Sequence, residues 1–125
     1  MKKVDNKKKC SLPGLFYAAG IKEGEALAKA VAEAADAMMP GLERQRISCR
    51  LAVHEAVLNA LKHGGGEAFV ALVPEKEGVC VQIRQNGDVV FPPPSRAFGG
   101  TALIRRCSRK QDVSEDKKIL SLWFY

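Results

Sequence analysis

From Leu51 to Leu61 the chain is apolar on nearly every side, and only His54, Glu55 and Asn59 interrupt the run. A helix that is apolar all round is a buried one, held between layers rather than laid on a surface. Glu55 and Asn59 stand one helical turn apart, and His63 continues their stripe. A carboxylate on a buried helix is costly unless a proton, a cation or hydrogen bonds compensate it. The pattern therefore predicts that this stripe faces a polar cavity. The same helix is expected to run from about Leu42 to His63, with Gly64, Gly65 and Gly66 as its stop. Upstream, Leu27, Ala30, Val31, Ala34 and Met38 recur at helical spacing, which predicts a helix from about Lys22 to Met39. Its many alanines suit close packing against a neighbouring helix, and Pro40-Gly41 separates the two. Ser11 to Ala19 reads equally as an edge strand or a packed arm.

Beyond the glycines the period changes. Ala68 to Val73 is a continuous apolar run of strand length, and Glu75 to Gly78 is a polar turn. Val79, Val81 and Ile83 then alternate with Cys80, Gln82 and Arg84, so the two segments predict a hairpin. Asn86-Gly87 is a turn signal, and Val89 to Phe91 reads as a short strand. Pro92, Pro93 and Pro94 cannot join a central strand, so a loop is expected there. Gly99-Gly100 opens a predicted helix from about Thr101 to Arg109. Asp112 to Lys118 reads as a charged turn, and Ile119 to Tyr125 as a closing strand. These elements predict an α+β fold, a two-layer α/β sandwich with helices on one face of a mixed, largely antiparallel sheet.

Composition narrows the class. With 125 residues, 46% of them hydrophobic and 27% charged, the chain suits one soluble domain. No apolar run is long enough to span a bilayer, and no signal-peptide pattern is present, so a cytoplasmic protein is expected. Five lysines against one aspartate place +4 of the net +6 in the first nine residues. Residues 1–10 are therefore expected to form a basic, flexible tail, with a single domain over 11–125. The body is close to neutral, which gives nucleic-acid binding a weak basis. The cysteines Cys10, Cys49, Cys80 and Cys107 lack any C-x-x-C pair, so free thiols are expected rather than zinc ligands or disulfides. His54-Glu55 is not a zinc-protease motif, since Leu58 stands where the second histidine belongs.

Parity connects the hairpin to the buried helix. Gln85 shares its side of the strand with Val79, Val81 and Ile83. If that side is the core face, Gln85 points toward the Glu55 helix. Gly87 follows, and the Gly99-Gly100 turn opens a helix whose first amides suit an anion. Glu55, Asn59, Gln85, Gly87 and Gly100 are thus expected around one cavity.

The run Glu55-Ala56-Val57-Leu58-Asn59-Ala60-Leu61-Lys62-His63-Gly64 resembles the N-box of the histidine-kinase-like (GHKL) ATPase domains, most closely the anti-sigma factor serine kinases. The order that follows is similar too: hairpin, Asn-Gly turn, proline-rich loop, Gly-Gly, Leu-Ile-Arg, final strand. The resemblance covers roughly Leu42 to Tyr125 and implies a Bergerat-type ATP-binding fold with ATP and Mg²⁺ as cofactors. It implies that Asn59 coordinates Mg²⁺, a hard ion suited to an amide oxygen. Glu55 matches the general base that activates a hydroxyl. His63 matches a binding-site position, while Gln85, Gly87, Gly99, Gly100 and Thr101 fall in the two glycine boxes. The implied partner is a sigma factor or its antagonist, whose serine accepts the phosphoryl group, and a homodimer is the implied assembly.

The boxes also depart from the family's pattern. Gln85 stands where an aspartate accepts the adenine amino group, and Val89 replaces a glycine. Phe98 and Thr101 occupy positions of a glycine and a leucine. Losing a charged hydrogen bond in a buried site costs about 1.5 to 3 kcal/mol, so weakened ATP binding is expected. A binding module of the same fold, with catalysis decayed, is the alternative. Arg105, Arg106, Arg109 and Lys110 read most simply as a solvated helix face, and the cysteines as passive fillers.

Overall fold

The computed structural model describes residues 15–125. The basic tail, Cys10 and the start of the Ser11 to Ala19 segment lie outside the described residues. The elements run β1 (Leu15–Ala19), α1 (Ile21–Ala37), α2 (Glu43–His63), β2 (Glu67–Glu75), β3 (Gly78–Arg84), a 3₁₀ turn (Pro94–Arg96), α3 (Gly99–Cys107), β4 (Lys110–Val113) and β5 (Ile119–Phe124). The segment before α1 is thus an edge strand. Among the described residues five strands form one sheet in the order β1-β2-β3-β5-β4, and all four pairings are antiparallel.

Register and parity place the core on one face of the sheet. Val70 opposes Ile83 and Leu72 opposes Val81; on the next pair, Val81 opposes Leu122 and Ile83 opposes Leu120. All six are buried, and they pack with Leu27, Val31, Val53 and Val57 from the helices. The chain is therefore an α+β two-layer sandwich. α2 is fully buried at Cys49, Ala52, Val53, Val57 and Ala60, but it is not covered on every side as the apolar run predicts, since Leu51 is 49% exposed. Where α1 crosses it, a Cβ at Gly24 would overlap the tip of the Leu61 side chain, so a larger residue there requires Leu61 to move. Arg50 of α2 pairs with Asp36 of α1.

Three expectations need correction. Ala30 is exposed, and the buried face of α1 is carried instead by Gly24, Leu27, Ala28, Val31, Ala32 and Ala35. The difference is a rotation of the stripe: an alanine-rich helix lets more than one face approach a neighbour. Val89 to Phe91 form no strand; Val89 N donates to Lys117 O at 2.6 Å and the chain then turns into the prolines, which cannot extend a ladder. Finally, the charged stretch after α3 begins with a strand, β4, which pairs Lys110 with Trp123 and Val113 with Leu120.

Candidate functional site

A cavity of about 480 Å³ lies between α2, the end of β3 and the start of α3. That volume is typical of small-molecule sites, which pair apolar walls with a few convergent polar groups. Asn59, His63, Gln85, Gly100 and Thr101 all line it, together with Ala56 on the α2 stripe. Stretches far apart in sequence therefore meet here, as parity and helical spacing suggested.

On the α2 wall, Asn59 is half-buried and His63 is exposed at the helix end. No hydrogen bond engages the Asn59 amide among the described residues, which leaves its oxygen available to a ligand. Glu55 does not line the cavity itself. Its carboxylate lies against Gly100, where any Cβ would overlap Oε2, Cδ and Cγ. Glu55 thus touches the cavity's edge through a residue of the first turn of α3. No group of three His, Cys, Asp or Glu side chains able to hold a metal occurs among the described residues. A cation beside Asn59 would take its remaining oxygens from ligand and water, the habit of Mg²⁺.

At the end of β3, Gln85 is tightly specified. Its Nε2 donates to Gly87 O at 3.0 Å and to Asp88 O at 2.9 Å. Two carbonyls can be satisfied only by the amide's nitrogen, so the side chain cannot be flipped, and Oε1 is left as an acceptor. Gly87 N donates to Gly64 O at 2.8 Å, and a Cβ at Gly64 would meet Gln85. Gly64 and Gly87 act by letting the end of α2 and the turn touch, rather than by lining the cavity. Asp88 does line it, and the Lys118 ammonium at 2.7 Å holds its carboxyl below the usual range.

At the start of α3, Gly99 has φ +59°, a conformation that favours glycine. It sits just outside the lining. Thr101 Oγ1 donates to Phe98 O at 3.0 Å, and no side chain caps the helix. The remaining wall is apolar: Val89, Val90, Phe91, Pro92 and Phe98, with Ile83, Ile104 and Leu120 beneath. Val90 and Phe98 are 80% and 81% exposed, at the lip. Sequence pattern alone gives this stretch no part in the site; the signal that could have found it is the apolar run Val89-Val90-Phe91, which no strand absorbs.

The described cysteines offer no competing nucleophile. Burial pushes the Cys49 thiol up to about 12 and Cys80 up to about 11, and it raises Cys107 as well. All three are free, and a thiol held protonated is inert at neutral pH. Arg106, Arg109 and Lys110 are exposed, but only Arg106 lies on the helix: α3 ends at Cys107, Lys110 opens β4, and Arg105 is half-buried and turned toward the loop.

Neither a protein-family model nor a curated protein matches this chain. No helix among the described residues is long and apolar enough to cross a membrane.

Proposed function

We propose that this protein is a Mg²⁺-nucleotide-binding regulator of the histidine-kinase-like ATPase type, with a Bergerat-type fold, acting as a serine kinase of the anti-sigma kind. The observation that carries this reading is the meeting of Asn59, His63, Gln85, Gly100 and Thr101 around one cavity. In this reading Gln85 Oε1 accepts a hydrogen bond from the base, a neutral counterpart of the family's aspartate. The Asn59 amide oxygen would hold the metal ion, which would supply neutralisation of the phosphate charge. The amides at the start of α3, which no side chain among the described residues caps, receive a phosphate. Glu55, lying against Gly100, takes the proton from a serine hydroxyl brought by the partner protein. A sigma factor or its antagonist fits that role, in a cytoplasmic setting consistent with free thiols.

Calorimetric titration with Mg²⁺-ATP and Mg²⁺-ADP tests the reading. Saturable, Mg²⁺-dependent binding supports it; no binding at millimolar nucleotide ends it. A second reading, a partner-binding module with catalysis decayed, is favoured by two features of the cavity: no lysine or arginine among the described residues lines it, and Val89 stands at a position where the resemblance expects glycine. Phosphate transfer to a serine would exclude that alternative.

A further inference from the structure

We propose that Arg105 is the positioning residue of the cavity's loop wall. Its Nε and Nη2 converge on one carbonyl, Pro92 O, at 3.1 and 2.8 Å. Its guanidinium lies over the Phe91 ring, 4.3 Å from the centroid. Phe91 and Pro92 both line the cavity, whereas Arg105 does not.

The arginine is itself held from behind. Nη1 donates to Gln111 Oε1 at 3.2 Å. Gln111 Nε2 in turn donates to Ser108 Oγ at 2.8 Å, and Ser108 Oγ donates to Ile104 O at 2.7 Å. This chain of bonds ties the end of α3 to β4 and fixes the fork that grips the loop. Pro92 has no N–H, so the segment cannot secure itself through a backbone ladder here. Among the described residues, every hydrogen bond joining residues 90–97 to the rest of the protein comes from Arg105. The other bonds in that stretch are local, such as Arg96 N to Pro93 O.

A planar fork that bonds one carbonyl twice and stacks on a ring is a task for arginine and not for lysine. Charge alone should therefore not rescue the position. Limited trypsin digestion of the native protein reads the loop directly, because Arg96 is exposed within it. Cleavage after Lys76, in the β2–β3 turn, serves as the internal standard for global unfolding. R105A and R105K are each expected to raise the ratio of cleavage after Arg96 to cleavage after Lys76 about tenfold, the loss of one charged hydrogen bond. R106A, which removes the same charge from the exposed neighbour, should leave the ratio unchanged.

Mg²⁺-ADP affinity should fall about tenfold in R105K with only a few degrees' fall in melting temperature, since the lost bonds loosen the wall that contacts the ligand and leave the core packing intact. That second measurement rests on the nucleotide reading; the digestion does not. If wild-type protein binds no ADP, the nucleotide reading fails and the cleavage ratio alone decides the role of Arg105. A ratio in R105K equal to wild type, or an equal rise in R106A, overturns the proposal. Should R105A raise cleavage at both sites by unfolding, the ratio measured in R105K decides.

Discussion

Asn59 and Phe91 line the same cavity, and they are held there in different ways. Asn59 rides on a 21-residue helix whose neighbouring Val53, Val57 and Ala60 are fully buried. Its position follows from core packing, which is dense and tolerates little movement. Phe91 belongs to a stretch, residues 85–98, whose only regular element is one 3₁₀ turn. That wall hangs on separate bonds. The backbone N–H groups of Gln85, Gly87 and Val89 donate to Lys118 O, Gly64 O and Lys117 O. The side chains of Gln85, Lys118 and Arg105 add theirs, the last on Pro92. One wall is rigid because the fold is; the other is rigid only where a staple holds it. Ligand contacts built on the first should survive single surface changes, and those on the second should not.

The sharpest way to break this contrast is to compare Ile104→Ala with Phe98→Ala. Both residues line the cavity, but Ile104 is the fully buried anchor of α3, whereas Phe98 is 81% exposed. Removing a buried isoleucine costs about 2–5 kcal/mol. Loss of an exposed side chain stays within about 0.5 kcal/mol. Urea denaturation would show the difference, and equal costs would mean that the loop carries core packing after all.

Next in size is a test within the α2 wall. Asn59→Ala should weaken Mg²⁺-ADP binding about tenfold, a loss of ~1.4 kcal/mol, while Glu55→Ala spares affinity and slows transfer. Calorimetry on both variants decides it; equal losses would make the two a structural pair.

Gln85→Ala should cost about 1 kcal/mol in denaturant, since its two staple bonds are partly open to water. Its effect should be local, and the ratio of tryptic cleavage after Arg96 to that after Lys76 would show whether it is. A rise smaller than that of R105A is expected, because Gln85 holds only the near end of the loop.

The same contrast explains what could be read in advance. The α2 wall was legible because burial imposes a period: the apolar run predicted the helix, and spacing placed Asn59 and His63 on its cavity side. Parity likewise carried Gln85 to the core face beyond Ile83, where it indeed lines the cavity. β4 was missed because Lys110 and Asp112 are exposed on an edge strand, and Gln111 and Val113 are only half-buried. Four residues with one apolar position show no alternation. Arg105 was misread for a related reason. Helical spacing groups it with Arg106 and Arg109, and nothing local reveals a proline carbonyl 13 residues upstream. Staples between distant segments leave no periodic trace, so a wall built from them is read last.

A further staple fastens the edge of the sheet to this wall, and pH can release it. Tyr17 Oη donates to Glu67, whose other oxygen accepts from Asn86 Nδ2 at 2.8 Å. The chain runs from β1 through β2 to the turn that begins the loop. The Glu67 bond, then burial, raises the Tyr17 phenol from 10.0 to about 12. A raised pKa means that folding favours the protonated form. The stabilisation is complete below pH 10 and is lost as pH rises through about 12. On the acid side, Glu67 is lowered from 4.5 by the Tyr17 and Asn86 bonds, so its contribution is present above that value and fades as pH falls. Tyr17 is 51% exposed and Glu67 half-buried, and solvent screening makes this the smallest effect of the set. The chain has two tyrosines, so an ultraviolet absorbance titration of wild type against Tyr17→Phe isolates this one. A midpoint near 12 that falls toward 10.0 in Glu67→Gln would establish the staple in solution. A wild-type midpoint already at 10.0 would leave the near end of the loop to the Gln85 and Lys118 side chains and to the backbone bonds of Gly87 and Val89.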